Sequence, residues 1–260
     1  MSDEPMTHAS KTGLREVSQD GERASAARPD DYSAEVSEEV DPRITYPCYK
    51  SFDEFLDTAR LQSLDGYLTE RIWRHARAQE DIRFYTGPHR LEAEAPGVPG
   101  SRMIYLAQSK LPDSYFDLDK TWLWEPTAAA EEFSELMDFI ATLPFKATGR
   151  MLIMYDEAGR AVSAHRDHDQ TETCHEFVWF RTNLNKPFYV LNHRTGVRRY
   201  VGSYSAWFDT VNQFHGGDAR EGLSFSIRVD GVFTDEFKKR IPVSASNPAS
   251  TPALWACLTG

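Results

Sequence analysis

"LSFSIRVDGVF", residues 223–233, alternates with a period of two: Leu223, Phe225, Ile227 and Val229 are apolar, and Ser224, Ser226 and Arg228 fall between them. Successive side chains of a β-strand point to opposite faces, so the stretch reads as a strand with one apolar and one polar face. A guanidinium set in such a segment is costly to bury unless it meets an anion, and its planar fork suits a carboxylate. The other reading is a half-exposed antiparallel strand whose polar face meets water.

Upstream lie further strand-like runs: "RMLIMY" (150–155), "AVSAHRD" (161–167), "HEFVWFRT" (175–182), "PFYVLN" (187–192) and "YSAWFDT" (204–210). They are short, apolar and separated by Gly, Asn and Asp, a spacing that predicts a sandwich or barrel. The chain before them reads differently. Residues 51–79 predict two helices, with Phe52, Phe55 and Leu56 at helical spacing. "DIRFYTG" (81–87) and "SRMIYLAQS" (101–109) resemble strands. "TAAAEEFSELMDFIATLP" (127–144) predicts a helix with Thr127 as N-cap and Phe133, Leu136, Met137 and Ile140 as its apolar stripe. Helices followed by a run of strands make the class α+β with a jelly-roll-like β core.

The chain has 260 residues, 12% of them aromatic, and a formal net charge of −11. That charge argues against a nucleic acid or an anionic membrane surface as partner, since both need a basic face. Residues 1–41 are acidic, rich in Ser and Ala and without apolar periodicity, and read as a disordered tail. Residues 242–260 read as a second tail, whose Leu254 and Trp255 are placed to dock on the body. No apolar run has the length of a membrane span and no signal-peptide core is visible, so the expected location is cytoplasmic. Cys48, Cys174 and Cys257, odd in number and far apart, read as reduced thiols.

The chemistry begins in "AVSAHRDHDQTETCHEF" (161–177). On a strand His165 and Asp167 share a face, while Arg166 and His168 point away. A nitrogen and a carboxylate oxygen side by side are two metal ligands, and the best third is His215 in "NQFHGG", at the start of a predicted glycine turn. Two histidines and one carboxylate leave the other face of an octahedral ion open, which suits non-haem Fe(II). On the His-x-Asp pair alone, a turn with local hydrogen bonds explains the residues equally well.

Together these features resemble the Fe(II)/2-oxoglutarate-dependent oxygenases, in the branch of aspartyl/asparaginyl β-hydroxylases and bacterial proline hydroxylases. The matching segments are "HRDHD", "HEFVWFRTNLNKPFYV", "WFDTVNQFHGG" and "LSFSIRVDG". The resemblance implies a single oxygenase domain over 42–241. Helical and strand support would occupy 42–146, and a double-stranded β-helix core 147–234. It implies that His165, Asp167 and His215 bind Fe(II), and that Arg228, with Ser226 on the same face, binds the distal carboxylate of 2-oxoglutarate. His175 sits where related hydroxylases carry a histidine near the cosubstrate, and Asp209 resembles an aspartate close to the distal ligand. One departure is the position of Arg228, thirteen residues after His215; many relatives place the arginine closer, nearer to Ser224.

The implied reaction consumes O₂, decarboxylates 2-oxoglutarate to succinate and CO₂, and oxidises an unactivated C–H bond. Halogenating relatives lack the carboxylate that Asp167 supplies, so hydroxylation is expected, with desaturation or ring formation as alternatives that use the same triad. The expected substrate is a free amino acid or small carboxylate-bearing metabolite, with a peptide or protein side chain as the alternative. Arg194, Arg198 and Arg199 form a basic run that suits either a substrate carboxylate or a solvated hairpin. Trp179, Tyr189, Trp207 and Phe214 are candidate pocket walls or core. Two other classes compete: a zinc hydrolase or HD-type phosphohydrolase using His168–Asp169, and a non-enzymatic ligand-binding β-sandwich.

Overall fold

The 223–233 stretch becomes the long central strand of the larger of two sheets. A computed structural model describes residues 47–77, 102–111, 120–156, 159–166, 176–192, 195–208, 210 and 214–240. The first half holds β1 (Lys50–Ser51), α1 (Thr58–Ser63), α2 (Asp65–Arg77), β2 (Arg102–Tyr105), β3 (Ala107–Ser109), β4 (Trp124–Pro126), α3 (Ala128–Glu132) and α4 (Ser134–Ile140). The second half is β5 (Phe145–Asp156), β6 (Val162–His165), β7 (Glu176–Phe180), β8 (Phe188–Leu191), β9 (Arg198–Tyr200), β10 (Ser205–Trp207), β11 (Phe214–Gly217), β12 (Ser224–Phe233) and α5 (Asp235–Arg240).

The strand orders are β1-β10-β7-β12-β5-β2 in the larger sheet and β6-β11-β8-β9 in the smaller, with β3 and β4 as a separate pair. From β5 onward the chain passes to the other sheet at every connection except the β8–β9 hairpin. Strands β5-β12-β7-β10 therefore face β6-β11-β8-β9, all antiparallel within each sheet. That winding is a double-stranded β-helix, a form of jelly roll. The fold is α+β, with helices buttressing the β core.

Parity on β12 decides what each face of the larger sheet does. Ile227 lies opposite Ile153 and Phe180, and Val229 opposite Met151 and Val178. These side chains share one core cluster with Leu61, Leu68 and Ile72 of the first helices and Phe133, Leu136, Phe139 and Ile140 of the second pair. The Phe139 and Phe180 rings lie 5.5 Å apart. Fully burying each such side chain contributes roughly 1.5–3 kcal/mol, so this face anchors the helices. The other face, with Ser224, Ser226 and Arg228, looks toward the smaller sheet.

Several local expectations change. The helix expected over 127–144 is broken at Phe133 into α3 and α4. At the break the Glu132 carbonyl accepts from Arg71 Nε at 2.8 Å and Tyr67 Oη at 3.1 Å, a tie to α2 that local periodicity does not show. Thr127 precedes α3, but its hydroxyl donates to the Tyr105 carbonyl at 2.6 Å instead of capping. "FHGG", expected as a turn, is strand β11, and β9 emerges from the basic run. Gly216 is small because of crowding: a Cβ there would stand 2.7 Å from both Tyr189 Oη and the Val162 carbonyl oxygen. Cys48 is disulfide-bonded, which corrects its reading as a reduced thiol; spacing along a chain cannot show which thiols meet in space. The 81–87 strand and both expected tails lie outside the described residues. Among the described residues no helix is long and apolar enough to cross a membrane.

Candidate active site

Strands β6 and β11 are neighbours, and His165 stands directly opposite His215. Their ring centroids are 4.3 Å apart with planes at 53°. The register shifts between His215 and Gly217, an irregularity of the kind that re-aims a side chain at a sheet's functional end. His215 is buried, with the Phe208 ring at 5.2 Å and the Phe188 ring at 6.1 Å. His165 Nδ1 lies 2.8 Å from the Ser163 carbonyl oxygen. A carbonyl only accepts, so Nδ1 carries the proton and the lone pair of the neutral ring is on Nε2. Metal-binding histidines are commonly oriented by such a contact.

The pair fits a metal ion. Two imidazoles on adjacent positions of one ion, each nitrogen about 2 Å away, bring their ring centres to roughly 4–5 Å. Asp167, the expected carboxylate, lies outside the described residues, as do His168, Asp169, His175 and Asp209. Among the described residues, no three His, Cys, Asp or Glu side chains gather into a metal-sized group.

Both histidines line a cavity of about 170 Å³ between the sheets. Its walls include Trp179, Phe188 and Phe208, with Trp179 and Phe188 stacked at 4.6 Å. Ser224, Ser226 and Arg228 line it from β12. Arg228 is buried opposite Leu152 and Trp179. Its guanidinium meets Asp230 Oδ1, with Nε and Nη2 each at 2.9 Å, and lies 4.2 Å from the centre of the Phe177 ring. Asp230 is fully buried, and its Oδ2 accepts from Arg150 Nε at 3.0 Å. The anion that Arg228 meets on this strand thus includes one the protein itself supplies.

Three further groups escaped the sequence reading. Lys186 lines the cavity; its Nζ lies 3.0 Å from Asp156 Oδ2 and donates to the Arg160 carbonyl at 2.8 Å. Arg181, also at the cavity, donates to the carbonyls of Ser203 at 3.3 Å, Lys186 at 2.8 Å and Val201. Burial pushes the Arg181 guanidinium down to about 10, still charged at neutral pH. Asp230 had a legible signal, since it shares parity with Ser226 and Arg228. Lys186 had none, because it stands in the loop before β8.

The described residues of the basic run, Arg198 and Arg199, do not line the cavity. Arg198 pairs with Asp218 at 3.0 Å, Arg199 lies over the Tyr49 ring, and both are exposed on the β8–β9 hairpin; Arg194 lies outside the described residues. Of the four candidate aromatic walls, Trp179 lines the cavity. Trp207 belongs to the main core, and Tyr189 and Phe214 to a small cluster with Leu191 on the smaller sheet. Arg220 is used by the Asn185 carbonyl at 3.0 Å.

The fold and site define a class: a double-stranded β-helix with two in-register histidines lining the cavity between its sheets. No family model and no curated protein matches this sequence. Among solved structures, a prolyl-4-hydroxylase from Pseudomonas putida is similar at 11% identity and a TM-score of 0.39, covering 70% of this chain and 90% of that one. An oxidoreductase of the 2OG-Fe(II) oxygenase family from Burkholderia pseudomallei is similar at 9% identity and a TM-score of 0.32, covering 50% and 66%. An RmlC-like cupin from Shewanella frigidimarina is similar at 12% identity and a TM-score of 0.26, covering 60% and 96%.

Proposed function

We propose that this protein is a non-haem Fe(II)- and 2-oxoglutarate-dependent dioxygenase that hydroxylates an unactivated C–H bond. The observation that carries the reading is the His165–His215 pair, in register on adjacent strands and facing the cavity from the smaller sheet. His165, His215 and Asp167 would hold the iron. When bound, the ion would supply the oxygen-activating centre at which 2-oxoglutarate and O₂ are consumed to succinate, CO₂ and a hydroxylated product.

The chain's own residues do the rest. The Ser163 carbonyl holds the His165 ring in one tautomer and orientation. Phe188 and Phe208 flank His215 and keep water from its side of the cavity. Ser226 and Arg228 face the same cavity and give its deep wall a polar, cationic character suited to a dicarboxylate. His175 belongs with them in this proposal. The substrate class in this proposal is a free amino acid or small carboxylate-bearing metabolite.

Anaerobic titration with Fe(II) and 2-oxoglutarate tests the reading. The expected result is a weak visible charge-transfer band that needs both additions and is lost in His165→Ala and His215→Ala. Absence of the band in the folded wild-type protein overturns the proposal. Succinate release during a screen of amino acids then identifies the substrate.

A further inference from the structure

Among the described residues the smaller sheet ends on an open edge. β9 is the last strand of the order β6-β11-β8-β9, and its partner is β8. Val201 N donates to the Phe188 carbonyl at 2.8 Å and Asn192 N to the Val197 carbonyl at 3.0 Å, on either side of the Val190–Arg199 pair. Backbone groups alternate in direction along a strand, so those of Arg198 and Tyr200 point away from β8. Such an edge is a template for one more strand. All three residues of β9 are exposed, Tyr200 by 50%, and Val197 beside them by 54%.

The two arginines differ in what they meet. Arg198 is matched by Asp218 at 3.0 Å, which also accepts from Tyr200 Oη at 2.8 Å. Arg199 faces the other way. Among the described residues it meets the Tyr49 ring at 5.1 Å and no carboxylate. This face of the edge therefore suits a strand that carries an acidic side chain.

The chain itself supplies one. Tyr49 Oη accepts from Gly202 N at 3.2 Å, so the chain enters the body beside β9. Upstream stands "DDYSAEVSEEVD" (30–41), with six acidic residues and no basic one. Within it Tyr32, Ala34 and Val36 alternate with Ser33, Glu35 and Ser37, a run too short to form a strand unaided. Nine residues, 38–46, separate this run from Pro47. They span up to about 30 Å, several times the roughly 5 Å between paired strands. The other end of the chain lacks the complementary charge, since residues 241–260 hold no charged side chain.

We propose that residues 32–37 add to the edge as a strand antiparallel to β9, with Glu35 opposite Arg199. In that register Val36 lies opposite Arg198 and Ala34 opposite Tyr200, and these pairs exchange the backbone hydrogen bonds of the edge. Tyr32 and Val36 stand diagonal to Tyr200 and cover its ring. Arg198 and Arg199 do not line the cavity, so docking closes the edge against foreign strands and leaves the histidine pair untouched.

Amide hydrogen exchange on the full chain, read residue by residue by NMR, tests the register. The Arg198 and Tyr200 amides should exchange on the order of tenfold more slowly in wild type than in Val36→Pro, which removes a ladder donor. Glu35→Lys and Arg199→Glu should each lose most of the protection, and the two together should restore it. Unchanged exchange in β5 and β12 separates undocking from unfolding in every variant. Protection that survives Val36→Pro places another segment on the edge, and protection that grows with protein concentration places a second copy there. Absence of protection in wild type leaves the edge open. Each of these three results overturns the assignment.

Discussion

Asp230 is the residue on which the deep wall depends. It has no solvent exposure and holds two arginines, Arg150 on one oxygen and Arg228 on the other. Removing one partner of a buried ion pair leaves an uncompensated charge, at a cost of about 3–5 kcal/mol. Asp230→Asn should therefore lower the unfolding free energy read from urea denaturation by an amount in that range. Asp230→Asn combined with Arg150→Met should recover part of the loss, because fewer buried cations then lack a counter-charge. A double-mutant cycle reading equal losses for the single and double variants would place the stability elsewhere. At the histidine pair, Ser163 contacts His165 through its backbone carbonyl, so Ser163→Ala should leave the affinity for the proposed Fe(II) within about twofold of wild type.

At the scale of elements, β11 shows how a strand is built from residues that sheets usually avoid. Gly216 gives way to Tyr189 Oη and the Val162 carbonyl, both 2.7 Å from a hypothetical Cβ. Gly216→Ala should destabilise by about 1–3 kcal/mol through overpacking, read by chemical denaturation. Tyr189→Phe should rescue only part, since the Val162 oxygen is backbone and cannot be removed. The α3–α4 break is anchored in the same tertiary way. Arg71→Ala removes one of the two donors on the Glu132 carbonyl and should cost about 1 kcal/mol. Strands β5 and β7 were legible as short apolar runs, buried at consecutive positions, and β12 by its two-residue alternation in sequence. Strands β9 and β11 were not: one is three exposed residues with two arginines, and the other is half glycine.

At the scale of the whole molecule, the cavity exists only because two sheets face each other, so a ligand that spans them links their stabilities. A ligand at 100 times its dissociation constant stabilises the native state by about 2.7 kcal/mol. Mn(II) with 2-oxoglutarate should therefore raise the thermal unfolding midpoint of wild type, and should do so far less in His215→Ala. An equal shift in both proteins would place the ligand outside the histidine pair.

Alternation along 223–233, the helices before the strands and the His-x-Asp pair were all written in the chain, because periodicity and parity are local properties of a backbone. They were enough to state an α+β fold with a jelly-roll-like β core and to place Arg228 on a polar face; the double-stranded β-helix was implied by the family resemblance. What lay beyond them was decided between segments far apart in sequence. The opposition of His165 and His215, the sharing of Asp230 between Arg150 and Arg228, the disulfide at Cys48 and the arrival of Lys186 at the cavity all depend on which segments become neighbours. Strand pairing brings together residues with no signal in common, and only the tertiary structure holds that information.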